Sequence, residues 1–301
     1  MENILGSIKH GNWDAVCILG PTASGKTKFA VELARTLTAQ WKPCEIISAD
    51  SRQVYRGMDI GTGKDLSEYG EVPAHLLDIV DAGTKYNIFE YQKDFSKAYT
   101  NILERGCFPI ICGGSGLYIE AATRGYELYE VLPDEDLRAR LEPKPIEELV
   151  QMLKDLKAAK GVKPHNDTDW DTKKRVIRAI EIEMAQTEPR APLPLPQNVL
   201  FIGVSVDRDT RNARIDARLE ARLEEGMVEE VKRLLDSGIP AEDLIYYGLE
   251  YKFLTQYLIG ELSYGEMVSG LRTAIHQFAK RQMTWFRGME RKGVEIHWVE
   301  R

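Results

Sequence analysis

Gly20-Pro21-Thr22-Ala23-Ser24-Gly25-Lys26-Thr27 fits the phosphate-loop pattern G-x-x-x-x-G-K-[ST] in full. The apolar run Ala15-Val16-Cys17-Ile18-Leu19 precedes it, and Phe29, Ala30, Leu33, Ala34 and Leu37 follow at helical spacing. That is the strand–loop–helix setting the pattern needs. Backbone N–H groups of such a loop converge on one point, where the helix N-terminus adds partial positive charge. Lys26 brings a point charge for the outer phosphates, and the Thr27 hydroxyl can ligate magnesium. These residues predict a site for a di- or triphosphate. Whether that phosphate is transferred, hydrolysed or released from a carbon centre stays open at this point.

Two further strand ends carry polar groups. Ile46-Ile47-Ser48-Ala49-Asp50-Ser51-Arg52-Gln53 puts Asp50 and Ser51 where a doubly wound sheet holds its ligand. Asp50 there reads as a general base, a metal ligand or a turn cap. Cys112-Gly113-Gly114-Ser115-Gly116-Leu117-Tyr118 again closes a strand and opens a helix, with glycines that allow close backbone approach and a hydroxyl at Ser115. Between them lies the glycine-rich stretch Tyr55–Lys64. Arg211, Arg214, Arg218 and Arg222 keep helical spacing after Arg208, and charge so spaced reads first as a solvated face paired with Glu220, Glu224 and Glu225. Lys280, Arg281 and Gln282 with Trp285 and Phe286 read equally as an RNA clamp or, for the aromatics and Phe278, as core.

The elements that must position these groups follow from hydrophobic spacing. Strands at Ala15–Leu19, Cys44–Ser48 and Phe108–Cys112 alternate with helices starting near Gly25, Phe89 and Gly116, which predicts an α/β parallel sheet with right-handed crossovers. Helical patterns then replace strands at Asp134–Leu141, Ile146–Ala158 and Asp171–Thr187, before a linker carrying Pro189, Pro192, Pro194 and Pro196. Val199–Val206 reopens the sheet, helices follow at Asp207–Leu223, Met227–Leu235, Gly248–Leu258 and Ser263–Arg287, and Val294–Val299 closes it. The expected organisation is a P-loop core at 13–125, a helical insertion at 126–196 and the rest of the core at 197–301. A net charge of −7 argues against nucleic acid binding over the whole surface but permits a local basic face. The N-terminus lacks the pattern of a signal peptide and no apolar stretch suits a membrane span. Cys17, Cys44, Cys107 and Cys112 lack paired spacing and read as reduced core thiols of a cytoplasmic protein, and the five histidines show no ligand spacing.

Taken in order, several segments make the chain resemble the tRNA dimethylallyltransferases of the bacterial type, also called tRNA isopentenyltransferases. They are Gly20–Thr27, Ser48–Lys64, His75-Leu76-Leu77-Asp78, Gly113–Tyr118, His165-Asn166-Asp167, Arg175–Glu181 and Ala279–Arg287, within a likeness running from about residue 14 to 298. The resemblance implies a P-loop, NTPase-like fold that moves a dimethylallyl group from dimethylallyl diphosphate to the exocyclic amine of the adenine 3′ of the anticodon. It implies Asp50 as proton acceptor and Ser115, where the family usually has Thr, at the bridging oxygen. Lys26 would stabilise the leaving charge, and Thr27 would hold Mg²⁺. Gly20, Pro21, Thr22, Ala23, Ser24, Gly25, Lys26 and Thr27 with Arg208 and Arg214 would hold the diphosphate. Asp50, Ser51, Arg52, Gln53, Ser115, Arg138, Lys174, Arg175, Val176, Ile177, Arg178, Lys280 and Arg281 would face tRNA. The implied partners are a tRNA anticodon stem-loop and dimethylallyl diphosphate, with a cytoplasmic monomer that meets no membrane.

The chain departs from the family pattern at particular places. Beyond Ser115, the insertion is short, and Thr187-Glu188-Pro189-Arg190 replaces a Thr-Gly-Lys. Gly248-Leu249-Glu250-Tyr251 stands for Gly-Tyr-Lys-Glu, and His276 for a common Arg. These departures are expected to fall mainly in RNA-contacting regions. The competing readings are a P-loop nucleotide or small-molecule kinase, the same prenyl chemistry on free AMP or ADP, and a non-catalytic RNA-binding relative.

Overall fold

Apolar runs too short for a helix fold here as strands buried on both faces, the signature of a covered parallel sheet. The computed structural model describes residues 2–125, 131, 133–160, 172–185 and 192–301. His165-Asn166-Asp167, Thr187-Glu188-Pro189-Arg190 and both ends of the expected 171–187 helix lie outside the described residues. The chain divides into two compact units, Met1–Tyr126 with Leu193–Arg301, and Glu127–Pro192.

The first part of the larger unit runs α1 (Glu2–His10), β1 (Ala15–Leu19), α2 (Lys26–Gln40), β2 (Cys44–Ser48), β3 (Tyr55–Arg56), β4 (Ala74–His75), β5 (Val80–Asp81), α3 (Ile88–Glu104), β6 (Phe108–Gly113) and α4 (Gly116–Thr123). The smaller unit holds α5 (Glu135–Leu141), α6 (Ile146–Ala159) and α7 (Lys173–Met184). The larger unit resumes with β7 (Val199–Ser205), α8 (Arg208–Glu224), α9 (Met227–Asp236), α10 (Ala241–Tyr246), α11 (Leu249–Leu258), α12 (Tyr264–Arg291) and β8 (Ile296–Glu300).

The main sheet has the order β4-β2-β6-β1-β7-β8, with every neighbouring pair parallel. Side chains alternate across it as the pleat requires. Along β1, Ala15, Cys17 and Leu19 join a core with Tyr91 and Phe95 of α3 and Phe286 of α12. Val16 and Ile18 face the opposite way, into a core with Phe29, Leu33 and Leu37 of α2 and Leu5 and Ile8 of α1. Capping fixes where the long helices start. Asn87 accepts from the Phe89 and Glu90 amides while Glu90 answers on the Asn87 amide, and Ser263 with Glu266 repeats the reciprocal arrangement at α12.

Hydrophobic periodicity did not predict α1, α10, the edge strand β4 or the β3–β5 pair. Two-residue strands are too short to show a period. β4 is recruited by register instead, Ile46 opposite Ala74 and Ile47 opposite His75, with His75 Nε2 at 2.6 Å from Glu45 Oε2. The four cysteines are free thiols, three of them buried.

The smaller unit builds its own core from Leu137, Leu141, Leu149, Leu153, Val176, Ile177 and Ile180. Val176 and Ile177, expected to face tRNA, are buried here and form with Ile180 the apolar stripe of α7. Arg138 and Arg178 are likewise engaged within the unit. The Glu181 side chain, 1% exposed, accepts from Arg138 Nε at 2.7 Å, Arg138 Nη2 at 3.1 Å, Arg178 Nη1 at 3.0 Å and the Asp134 amide at 3.0 Å. Lys174 and Arg175 are exposed on the same helix.

Burial alone would raise the Glu181 carboxyl, but the Arg138, Asp134 and Arg178 hydrogen bonds reverse that and hold it below the ordinary value of 4.5. A carboxyl depressed in the folded state stabilises fully above its unfolded pKa, and the contribution is lost as pH falls through the folded value. Exchange protection of the α7 amides should therefore fall on acidification below the ordinary glutamate range. Glu181→Gln should lower it by about 1–3 kcal/mol at neutral pH and flatten the acid dependence. Identical pH profiles for the two proteins would show that the network contributes nothing.

Candidate active site

β1, β2 and β6 end side by side, and the approach is close because Gly113 carries no side chain. A carbon there would collide with the Ala49 backbone, while the Ala49 amide donates to Cys112 O at 2.8 Å. Gly20, at the end of β1, is similarly pressed to Val204 O, where an added carbon would lie at 2.5 Å. The loops leaving these strand ends share a cavity of about 560 Å³, lined among others by Lys26, Thr27, Asp50, Gln53, Ser115 and Gln282. A second cavity of about 260 Å³ shares Lys26, Thr27, Gln53, Gly63 and Arg218 with it and adds Ala23, Gly25 and Arg214.

The Gly20–Thr27 loop turns through left-handed residues, Ala23 at φ 61° and Gly25 at φ 80°. Gly25 occupies the cap position of α2 and has no side chain to offer the first-turn amides, which also have no partner inside the helix. Gln282 of α12 braces the loop. Its Oε1 accepts from the Thr22 amide at 2.8 Å and its Nε2 donates to Gly114 O at 2.9 Å. One turn on, Trp285 lies against Gly116 and donates from Nε1 to Glu120 Oε2 at 2.8 Å. Phe286 is fully buried in the core, whereas Phe278, expected there too, is exposed at the cavity rim.

Asp50 Oδ1 accepts from the Arg52 amide at 2.9 Å, which makes it a turn cap. The carboxylate also lines the larger cavity with Lys26, so capping occupies one oxygen of a group that faces the site. Ser115 joins two loops, since its Oγ accepts from the Ser51 amide at 3.1 Å and donates to Ser51 Oγ at 3.3 Å. Arg281 and Arg52 line the same cavity, and Lys280 is exposed one residue earlier.

The Tyr55–Lys64 stretch is held by groups that its own sequence does not reveal. Buried Glu230 of α9 accepts from the amides of Asp59 at 2.9 Å, Ile60 at 2.8 Å and Gly61 at 3.0 Å, and from Tyr251 Oη at 2.6 Å. Buried Lys64 donates to Tyr55 O at 2.7 Å and pairs with Asp59 at 2.7 Å and with Asp78. Tyr251 and Glu250 both line the larger cavity, and His276 pairs with Asp216 of α8 at 2.9 Å. Those departures from the family pattern thus stand in the wall of the larger cavity and against α8.

α8 contributes differently from its sequence reading. Arg208 is exposed and lines neither cavity, whereas Arg214 lines the smaller one. Arg218 and Arg222, expected on a solvated face, point inward over Gly63, and Arg218 Nη2 lies 3.4 Å from Gly63 O. Only the folded chain brings the Gly61–Lys64 loop against this face of the helix. Burial pushes the Lys26 ammonium below its ordinary value, opposed by Asp50 and reinforced by Arg218. Burial, then the charge of Arg218, lowers Arg222 to about 10. The Cys112 thiol is pushed up to about 12 by burial and stays protonated. Lys26, Arg214, Arg218 and Arg222 thus line these two cavities together with the carboxylates of Asp50, Glu250, Asp65 and Glu68.

A parallel α/β sheet carrying a complete phosphate loop, with an inserted helical unit, defines a P-loop protein. Residues 53–289 match the family model described as IPP transferase. A tRNA dimethylallyltransferase of Bacteroides fragilis is 57% identical over 96% of this chain and 93% of its own length. One of Porphyromonas gingivalis is 58% identical over 95% and 93%. The crystal structure of a tRNA isopentenylpyrophosphate transferase from Bacillus halodurans, 36% identical, superposes with a TM-score of 0.68 over 95% of this chain and 89% of that one. The chain belongs to the IPP transferase family.

The Gln282 brace is testable. Gln282→Leu keeps similar bulk but orphans the Thr22 amide and the Gly114 carbonyl, and stability should fall by about 1–3 kcal/mol in urea titration. An unchanged midpoint would assign the brace no structural role.

Proposed function

We propose that the chain transfers a dimethylallyl group from dimethylallyl diphosphate to the exocyclic N6 amine of the adenine 3′ of the anticodon in tRNA, releasing diphosphate. The observation that carries this reading is that Asp50 and the Lys26–Thr27 pair line one cavity from strand ends on either side of β6. The names of the relatives, over nearly their full lengths, supply the substrate class.

In this reaction the amine nitrogen forms a bond to the allylic carbon, the bond from that carbon to the bridging oxygen breaks, and the electron pair leaves with the diphosphate. Lys26 and the loop amides stabilise the charge that develops on the leaving oxygens. Asp50 takes the proton from the amine, with its second oxygen clear of the Arg52 cap. Ser115 borders both reactants. The larger cavity, walled by Tyr118, Tyr247, Ile275 and Trp285, gives the prenyl chain and the flipped base an apolar, water-poor setting. Mg²⁺ fits the donors present, because it takes one or two protein oxygens and completes its shell with water and phosphate. Thr27 would hold it, and it would neutralise diphosphate charge. On the RNA side the exposed cations Lys174, Arg175, Lys280 and Arg281 supply backbone contacts, while Arg138 and Arg178 act through the integrity of the smaller unit. The protein works in the cytoplasm as a monomer.

Incubation with dimethylallyl diphosphate, Mg²⁺ and unmodified tRNA, then digestion and mass analysis, should yield prenyladenosine. Transfer of label from ATP without a prenylated base would instead identify a kinase. Asp50→Asn retains the cap geometry, since Asn caps about as well as Asp. Its single-turnover rate should nevertheless fall about 10²–10⁴-fold with tRNA affinity little changed. Near-equal rates would leave Asp50 a turn residue. For Lys174→Ala/Arg175→Ala, the slope of log affinity against log salt should lessen by about 0.7–0.9 for each phosphate that is no longer neutralised. An unaltered slope would remove these two from the RNA face.

A further inference from the structure

Among the described residues Arg222 has no ion-pair partner, and its Nη2 is buried without a hydrogen-bond partner. The side chain turns inward from α8, and its tip meets that of Arg218 directly over Gly63, where a side-chain carbon would collide with both. Two guanidinium tips therefore converge on one point, bordered by the cavity that also holds Lys26. Leaving a buried cation unpaired is costly, and placing a second beside it adds repulsion. The nearby carboxylates offset this only in part. Glu250, Asp65 and Glu225 act on Arg222 only through space, none of them within ion-pairing distance, while Arg218 reaches Asp65 at 3.6 Å. A structural arginine with no other task would be better replaced by an apolar side chain of like volume.

We propose that Arg222, with Arg218, is an anion-binding residue that grips the diphosphate of the prenyl donor from the side opposite the phosphate loop. This rests on the reading of the cavity as a prenyl diphosphate site. The loop amides and Lys26 offer charge from one strand end, and the arginine pair closes over the ligand from α8. Arginine suits the task, since its planar fork donates two parallel hydrogen bonds to phosphate oxygens. A diphosphate is favoured over an RNA backbone phosphate because Gly63, Lys26 and Arg218 border both cavities, so the converging tips meet the space beside the loop. Arg222 lines the larger cavity, so a small anion that enters there meets its side chain.

The test uses inorganic pyrophosphate with excess Mg²⁺ as the probe, on the wild type, Arg222→Gln, Arg222→Met and Lys26→Ala. Calorimetry should give pyrophosphate affinities about 10- to 100-fold weaker for both Arg222 variants, the range expected when charge-assisted hydrogen bonds are removed. Binding of tRNA should be retained. The ligand-free Arg222→Met protein should melt no lower than the wild type, because an unpartnered buried cation has been removed, yet pyrophosphate should raise its Tm much less. A merely structural arginine predicts the reverse, a lower Tm and an undiminished pyrophosphate response, and would overturn the inference. Intact pyrophosphate affinity with abolished tRNA affinity would assign the guanidinium to RNA and also overturn it. If the wild type itself fails to bind pyrophosphate and Lys26→Ala changes nothing, the diphosphate reading of the cavity falls, and this inference with it.

Discussion

The contact on which the site depends is the one between the backbones at Gly113 and Ala49. Hydrogen bonds carry the parallel ladder to the last residues of β2 and β6, and absence of a side chain at Gly113 lets the chains stay together past the sheet. Asp50 and Ser115 then leave the sheet as neighbours, tied through Ser51. The phosphate loop leaves β1 beside them, held at the right depth by Gly20 against Val204. A proton acceptor, a hydroxyl and a phosphate cradle thus come from three separate segments to one cavity. The strand ends set their places and the side chains of Gln282 and Ser115 brace them, so the geometry is inherited from the rigid core beneath.

Electrostatically the site is unbalanced in a directed way. Lys26, Arg218 and Arg222 crowd together with Asp50 as the facing carboxylate, and the larger unit bears the cost through depressed basicity at Lys26 and Arg222. Such preorganised charge is worth most in a cavity that excludes water, where it stabilises a developing anion without rearranging. Neutral wall residues add the complementary part. Tyr118 and Tyr247, both raised above the ordinary phenol value by burial, stay uncharged in the wall of the larger cavity.

The sheet and the phosphate loop were legible because they are local facts, continuous apolar runs and an eight-residue pattern with its flanks. The parts that escaped depend on what lies across from a residue. Arg218 and Arg222 have the spacing of a solvated helix face, and nothing in that spacing shows the Gly61–Lys64 loop folding over them. Glu230 sits in an ordinary amphipathic helix, and only the fold turns it toward three amides of a distant loop. Arg138 and Arg178 look free until Glu181 is found buried between them. Trp285 and Phe286 are adjacent on one helix, where a shift of one position separates a residue in the cavity wall from one wholly in the core.

The order of the strands also sets a timetable. β1, at the centre of the sheet, pairs on one side with β6 and on the other with β7, Ala15 opposite Val199. A ribosome adding about 5–20 residues per second needs on the order of 10 s to travel from the first of these partners to the second. During that interval the smaller unit is made and can close on its local contacts, while β1 presents an open edge and the α2 face lacks Leu200, Ile202 and Val204. The nascent enzyme therefore passes through a half-sheet whose most apolar strand is unpaired on one side, the state in which a chaperone or an aggregating neighbour would meet it.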